Sequence, residues 1–152
     1  MNTSRVSPSV RILRACLVSA VLLIVWGCGS GDPFSYVPVN GKVTYDDDSL
    51  IPAEEMLVTF LPQAEAIDAK THPRPGRARV DKATGTFHEV TSHTYGDGLV
   101  RGKHKVVIIG GDQRPLPPNL VPLEYSDPDK SPLVVDTAEQ PFVLKVKKPS
   151  KR

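Results

Sequence analysis

The sequence predicts an all-β domain, a sandwich of about seven short strands, and three observations carry that expectation. Fourteen of the fifteen prolines lie after Cys28. The longest proline-free stretch, Gly76 to Arg114, is itself broken by Gly85, Gly96, Gly98 and Gly102. A helix interior loses roughly 3 kcal/mol per proline and about 1 kcal/mol per glycine, so long helices have little room. Between these breakers stand short runs rich in β-branched and aromatic residues, several alternating apolar with polar side chains. That period is the one a half-buried strand requires.

The strands follow in order. Val37 to Tyr45 puts Val39, Gly41, Val43 and Tyr45 on one face and Asn40, Lys42 and Thr44 on the other. Asp46-Asp47-Asp48-Ser49 is a turn, followed by Ile51-Pro52. Met56 to Leu61 is apolar on both faces, which predicts a central strand, and Pro62 ends it. A polar stretch from Gln63 to Pro75 leads to the alternating Arg77-Ala78-Arg79-Val80. Lys82-Ala83-Thr84-Gly85 predicts a turn, with Gly85 free to adopt positive φ. Thr86 to Thr91 is expected to resume a strand around Phe87 and Val90. Lys103 to Ile109, with Val106-Val107 and Ile108-Ile109, is the clearest strand, and Gly110-Gly111 stops it. Residues 112–132 hold six prolines and predict a long loop, functional or disordered. Leu133 to Val135 and Phe142 to Val146 complete the set.

The segment ahead of these strands has a different character. Arg5, Arg11 and Arg14 form a basic flank, and Ala15 to Trp26 is apolar except for Ser19. An apolar run of about 12 residues suits an export signal and falls short of the roughly 20 that a spanning helix needs. The expected organisation is a signal over 1–27, a tether over 28–35, the sandwich over 36–148 and a basic tail over 149–152. Removal of residues 1–27 leaves about 125 residues, enough to bury roughly two-thirds of the unfolded surface. Gly29-Ser30-Gly31-Asp32-Pro33 has the composition of a flexible linker. Its glycines mimic a phosphate loop, but no strand precedes them and no helix pattern follows, which argues against a nucleotide site.

Charge and cysteine count follow from the same division. Three of the 19 Lys and Arg precede Cys28 and none of the 17 Asp and Glu does, so the part after it holds 16 basic against 17 acidic residues. A net charge near −1 excludes the strongly basic character of a nucleic-acid-binding domain. Of the two cysteines, Cys16 lies within the apolar run and would leave with it. Cys28 then has no partner within the chain, and acylation at a new N-terminus is the simplest account of an unpaired cysteine in an exported protein.

Val25-Trp26-Gly27-Cys28 resembles the lipobox of bacterial lipoproteins, with small Gly27 before the cysteine, Val25 three residues upstream of it, and Trp26 between them. The resemblance implies cleavage before Cys28, lipidation of Cys28 and attachment to a membrane through its acyl chains. Each buried CH₂ contributes about 0.8 kcal/mol to such anchoring. Gly29, where the best-known sorting rule places Asp for inner-membrane retention, favours the outer membrane. An ordinary cleaved signal with an incidental cysteine, or an uncleaved anchor, are the alternatives.

The order of the strand motifs has a likeness as well. Val39-Asn40-Gly41-Lys42-Val43-Thr44-Tyr45, then Ile51-Pro52, Val58-Thr59-Phe60, Thr84-Gly85-Thr86-Phe87 and Gly102 to Ile108, resembles carboxypeptidase regulatory-like, transthyretin-like domains. His104 stands where that pattern usually has Tyr, and Asp48-Ser49 where it often has Asp-Gly. The segment Val121 to Leu133 resembles the end of small bacterial lipoproteins carrying such a domain. The resemblance implies a transthyretin-like (Ig-like) β-sandwich of seven to eight strands without intrinsic catalysis. It would act as a binding or structural module in the cell envelope, its partner a protein or a glycan.

Candidate chemistry within the domain is sparse. The four histidines, His72, His88, His93 and His104, lack the tight spacing of a metal site. Asp46, Asp47 and Asp48 offer oxygen ligands but no EF-hand spacing. No Gly-x-Ser-x-Gly elbow is present, and Glu54-Glu55 has the look of a solvated pair. No catalytic residue, metal or cofactor is therefore assigned. A small metal-dependent or hydrolytic envelope enzyme stays as the alternative and requires His72, His88 and His93 to converge. Arg74, Arg77, Arg79, Lys103, Lys105, Lys145 and Lys147 are expected to point outward, either protecting edges or facing anionic envelope polymers and lipid head groups.

Overall fold

The two runs richest in β-branched and apolar residues become the two central strands of the largest sheet. The computed structural model describes residues 32–150. In chain order its strands are β1 (Tyr36–Val37), β2 (Gly41–Tyr45), β3 (Met56–Pro62), β4 (Gly76–Val80), β5 (Thr86–Phe87), β6 (Leu99–Val100), β7 (Lys103–Gly110), β8 (Val134–Asp136) and β9 (Phe142–Val146). The largest sheet has the order β4-β3-β7-β8 with every neighbour antiparallel. A second sheet has the order β5-β2-β9, in which β2 and β9 run parallel. β1 and β6 form a separate two-stranded ladder. Among the described residues there is no α-helix, and Leu123–Ser126 makes a single 3-10 turn. The fold is all-β and consistent with a β-sandwich, although the sheets do not close on one another.

Strand alternation places the core. From the larger sheet, Val58, Phe60, Ala78, Val80, Val106 and Ile108 are buried; from the other come Val43, Tyr45, Phe87, Phe142, Leu144 and Val146. The two sets meet at Phe60, whose ring centroid lies 5.7 Å from that of Phe87 and 5.8 Å from that of Phe142, both in tilted contact. Such aromatic pairs contribute about 0.5–1.5 kcal/mol beyond their area burial.

Several elements differ from the sequence expectation. The first strand is split: Pro38 has no N–H to give a ladder, and the chain divides into β1 and β2 on either side of it. β1 pairs with Leu99–Val100, a strand not expected, because Gly98 lets the two segments touch. A Cβ at Gly98 (φ +93°) would collide with the Val37 carbonyl. The expected strand from Thr86 to Thr91 stops at Phe87 as a ladder, and Glu89 turns to φ 54°. Among the described residues nine strands result rather than seven or eight, the additional β1 and β6 being only two residues long.

Residues 112–132 pack as a cover. Leu116, Val121 and Tyr125 are buried in the core. The Tyr45 hydroxyl donates to the Leu120 carbonyl at 2.8 Å, and the Tyr125 hydroxyl accepts from the Lys147 N–H at 2.9 Å. The Ser131 hydroxyl donates to the Val106 carbonyl, and the Val106 N–H donates to Leu133 at 2.9 Å. The prolines thus stiffen a cap whose few apolar side chains reach inward.

His104 points inward, on the same face as Val106 and Ile108, and is 1% exposed. Its Nδ1 donates to the Gly102 carbonyl at 3.1 Å, while Nε2 has no hydrogen-bond partner among the described residues. Burial pushes its pKa below the ordinary 6.5, opposed by the Gly102 bond and the charge of Asp136.

Two predictions follow from this core. Phe60→Ala removes the ring shared by both sheets and is expected to cost about 3–5 kcal/mol, read from the midpoint of urea unfolding. A histidine whose folded pKa lies below its unfolded value binds fewer protons when folded. Its neutral form therefore supports the fold fully above about pH 6.5, and that support is lost as pH falls below it. The urea midpoint should drop between about pH 7.5 and about pH 5, and His104→Phe should flatten that part of the profile.

Candidate functional site

Val25, Trp26, Gly27 and Cys28, the residues that carry the lipidation expectation, lie outside the described residues. The remaining candidates can be placed one by one.

The acidic turn is stitched to the end of β9. Lys145 Nζ pairs with the Asp48 carboxylate, Lys148 Nζ lies 2.6 Å from Asp47, and the Lys148 N–H donates to Asp46 at 3.2 Å. The Lys148 ammonium also sits 5.3 Å from the centre of the Tyr45 ring. The Lys148 hydrogen bond, with two more from Ser49, holds the Asp47 carboxyl well below the usual carboxylate range. Lysines thus occupy the oxygens that a cation would need. Among the described residues no three His, Cys, Asp or Glu side chains gather as a metal set.

The histidines have separate surroundings. His72 contacts the Ala69 carbonyl at 3.0 Å in an exposed loop, and His93 stacks on Tyr36 with centroids 6.3 Å apart. His104 is in the core. His88 lines an open groove beside β4.

That groove arises from a mismatch in chain length. Arg77 and Thr91 exchange both backbone hydrogen bonds at 2.9 Å, and the Asp81 N–H donates to the Thr86 carbonyl at 2.8 Å. Between these ties, residues 78–80 face residues 87–90, one residue more. The surplus is a β-bulge, and Glu89 in the left-handed region absorbs it. Ladder alternation turns the N–H and C=O of Arg79 the same way as those of Arg77, into the gap. No backbone hydrogen bond joins Arg79 to His88 or Glu89.

A groove of about 400 Å³ lies there, lined by Arg77, Arg79 and Asp81 on or beside β4, His88 and Glu89 from the bulge, and Tyr95 from the following loop. Arg77 donates to the Gln113 amide oxygen at 3.3 Å, and Arg79 to Glu55 at 3.2 Å, through one nitrogen each. Tyr95 is 79% exposed, yet its hydroxyl donates to the Glu89 carboxylate. The loop carrying it is held by Asp97, whose carboxylate accepts the N–H groups of Ser92, His93 and Thr94 at 2.9, 3.0 and 2.9 Å. Burial alone would push the Asp97 carboxyl up, but those three donors outweigh it and hold it below its ordinary value.

A second groove of about 560 Å³ lies among Pro52, Glu55, Gly111, Arg114, Leu116 and Leu120. Its charged groups are engaged with one another or with neighbours: Arg114 is 3.7 Å from Asp112, Glu54 2.8 Å from Lys82, and Glu55 bonds Arg79.

The sequence expectation that Arg77 and Arg79 point outward matches their exposed positions on β4. Tyr95, Glu89 and Asp97 were not singled out. The available signal was the pair Gly96 and Gly98 around Asp97, which marks a tight loop presenting Tyr95. Compared with models of known families, with curated proteins and with solved structures, the chain finds no match.

Asp97→Ala strips three backbone donors of their acceptor. It is expected to loosen residues 92–98 by about 1–3 kcal/mol, seen as faster amide hydrogen exchange confined to that loop.

Proposed function

We propose that this chain is a lipid-anchored cell-envelope protein whose β-sandwich acts as a non-enzymatic binding or structural module. The observation that carries the reading is Cys28. It follows a basic flank, an apolar run too short to span and a small Gly27, and it is the one cysteine left once that segment is removed. No helix among the described residues is long and apolar enough to cross a membrane. Gly29 supports the outer membrane over the inner.

The finer fold assignment belongs to the same proposal. A transthyretin-like, carboxypeptidase regulatory-like domain is supported by the order of Asn40-Gly41-Lys42-Val43, Thr84-Gly85-Thr86-Phe87 and Gly102 to Ile108. The paired strands β2, β5 and β9 and the inward His104 are in keeping with it.

The test is fractionation with a labelled fatty acid. The protein should take up label and sediment with membranes, whereas Cys28→Ala should lose the label and move to the soluble fraction. A Cys28→Ala protein that stays with the membranes overturns lipid anchoring in favour of an uncleaved apolar anchor.

A further inference from the structure

The groove beside β4 unites four features that no structural need of the sandwich explains. A bulge opens the ladder where a regular pairing of β4 with residues 86–91 would have closed it. Glu89 holds a left-handed backbone without being glycine, a conformation that persists where the surroundings enforce it and that clusters at binding sites. Arg77 and Arg79 alternate outward on one strand, so their guanidinium groups stand on one face about 7 Å apart at the backbone. Tyr95 presents its ring to solvent while its hydroxyl is fixed.

We propose that this groove binds an anionic saccharide, its acidic group held by Arg77 and Arg79 and a sugar ring laid against Tyr95. The proposal rests on the envelope location argued above, where such polymers are found, and names the ligand class of the module. The ligand class follows from the donors that the two arginines carry. A guanidinium has five N–H groups, and each arginine here donates through one nitrogen to a residue outside the groove, Gln113 or Glu55, so that its other donors remain for a carboxylate, sulfate or phosphate. The Arg79–Glu55 pair is more than half exposed on both sides, so an incoming anion competes with a weak interaction.

The remaining surface suits hydroxyl-rich rings. The Arg79 N–H and C=O face the gap, and Thr91 and His88 line it; of its two carboxylates, Asp81 is engaged by Ala83 and Thr84, and Glu89 keeps one oxygen beyond the bond from Tyr95. An exposed, tethered phenol ring offers an apolar face at little cost in side-chain entropy. An acidic peptide would satisfy the arginines but has no ring face for Tyr95. The volume of about 400 Å³ lies within the range of small-ligand clefts.

The experiment is calorimetric titration of the purified full chain in neutral detergent with a uronic-acid oligosaccharide. Its carboxyl-reduced counterpart and a poly-glutamate peptide are the comparison probes. The uronate should bind, weaken with added salt, and exceed the reduced sugar by about tenfold or more. Combined Arg77→Gln and Arg79→Gln should lower uronate affinity by about tenfold and remove most of the salt dependence. Tyr95→Ala should weaken both sugars several-fold, Tyr95→Phe should retain binding, and Lys130→Gln, which lies beside Asp127 and does not line this groove, should change nothing. Thermal melts establish that each variant is folded, and Tyr95→Leu replaces Tyr95→Ala if the loop is disturbed.

The proposal is overturned by absent uronate binding, by equal binding of the reduced sugar, by uronate binding that survives the arginine and Tyr95 changes, or by poly-glutamate binding as tightly as uronate. Titration in detergent does not depend on acylation, so its failure is distinct from failure of the fractionation test.

Discussion

Phe60 occupies the place where both larger sheets must meet, and the rest of the arrangement depends on that contact. A sheet with one apolar face is stable only when that face is covered, and here each sheet covers the other. Phe60 comes from the centre of β3, Phe87 from β5 and Phe142 from the start of β9, so one cluster ties three distant parts of the chain together. Its position also sets what can vary. β4 is tied to β3 along its whole length through the pairs from Met56–Val80 to Phe60–Gly76. Its other side is tied only at Arg77 and Asp81, and that is where the bulge and its groove develop. A rigid interior on one side of a strand is what allows irregular backbone on the other.

The parts of the fold legible in the sequence are those with a strong local signal. Met56 to Leu61 is apolar on both faces, and β3 is indeed the strand flanked on both sides in its sheet. Val106 to Ile109 and the alternation of Phe142, Leu144 and Val146 gave β7 and β9 their positions. The elements that escaped are those made by pairing rather than by pattern. Leu99–Val100 is two residues long within a glycine-rich stretch, and nothing local distinguishes it until Val37 arrives beside it. Thr86 to Thr91 has suitable strand composition, but the register mismatch with β4 diverts it at Glu89, and register is a long-range property. Residues 112–132 suggested a loop by their prolines, while the buried Leu116, Val121 and Tyr125 depend on a core formed elsewhere.

The candidate site shows the same division. The outward alternation of Arg77 and Arg79 is readable from spacing alone. Tyr95 and Glu89 are neighbours only because Asp97 folds the intervening loop and the bulge turns Glu89 toward it, neither of which has a period. The acidic turn is a further case: three consecutive aspartates without calcium-site spacing read as a solvated turn, but Lys145 and Lys148 engage Asp48 and Asp47 across about a hundred residues of chain. Charge that is conspicuous in sequence can be neutralised in space by residues too distant to be read alongside it.

The parallel pairing of β2 with β9 has a mechanical consequence. Gly41 pairs with Phe142 and Tyr45 with Val146, so the chain enters the ladder at the start of β2 and leaves it at the far end of β9. A pull applied between the N-terminal and C-terminal sides of this domain therefore draws the two strands past each other lengthwise. The hydrogen bonds of that ladder are loaded together in shear, instead of being peeled apart one after another from an end. A domain held at its N-terminal side and pulled at its C-terminal side would thus share the load across this ladder, set in place by nothing more than the direction of its last strand.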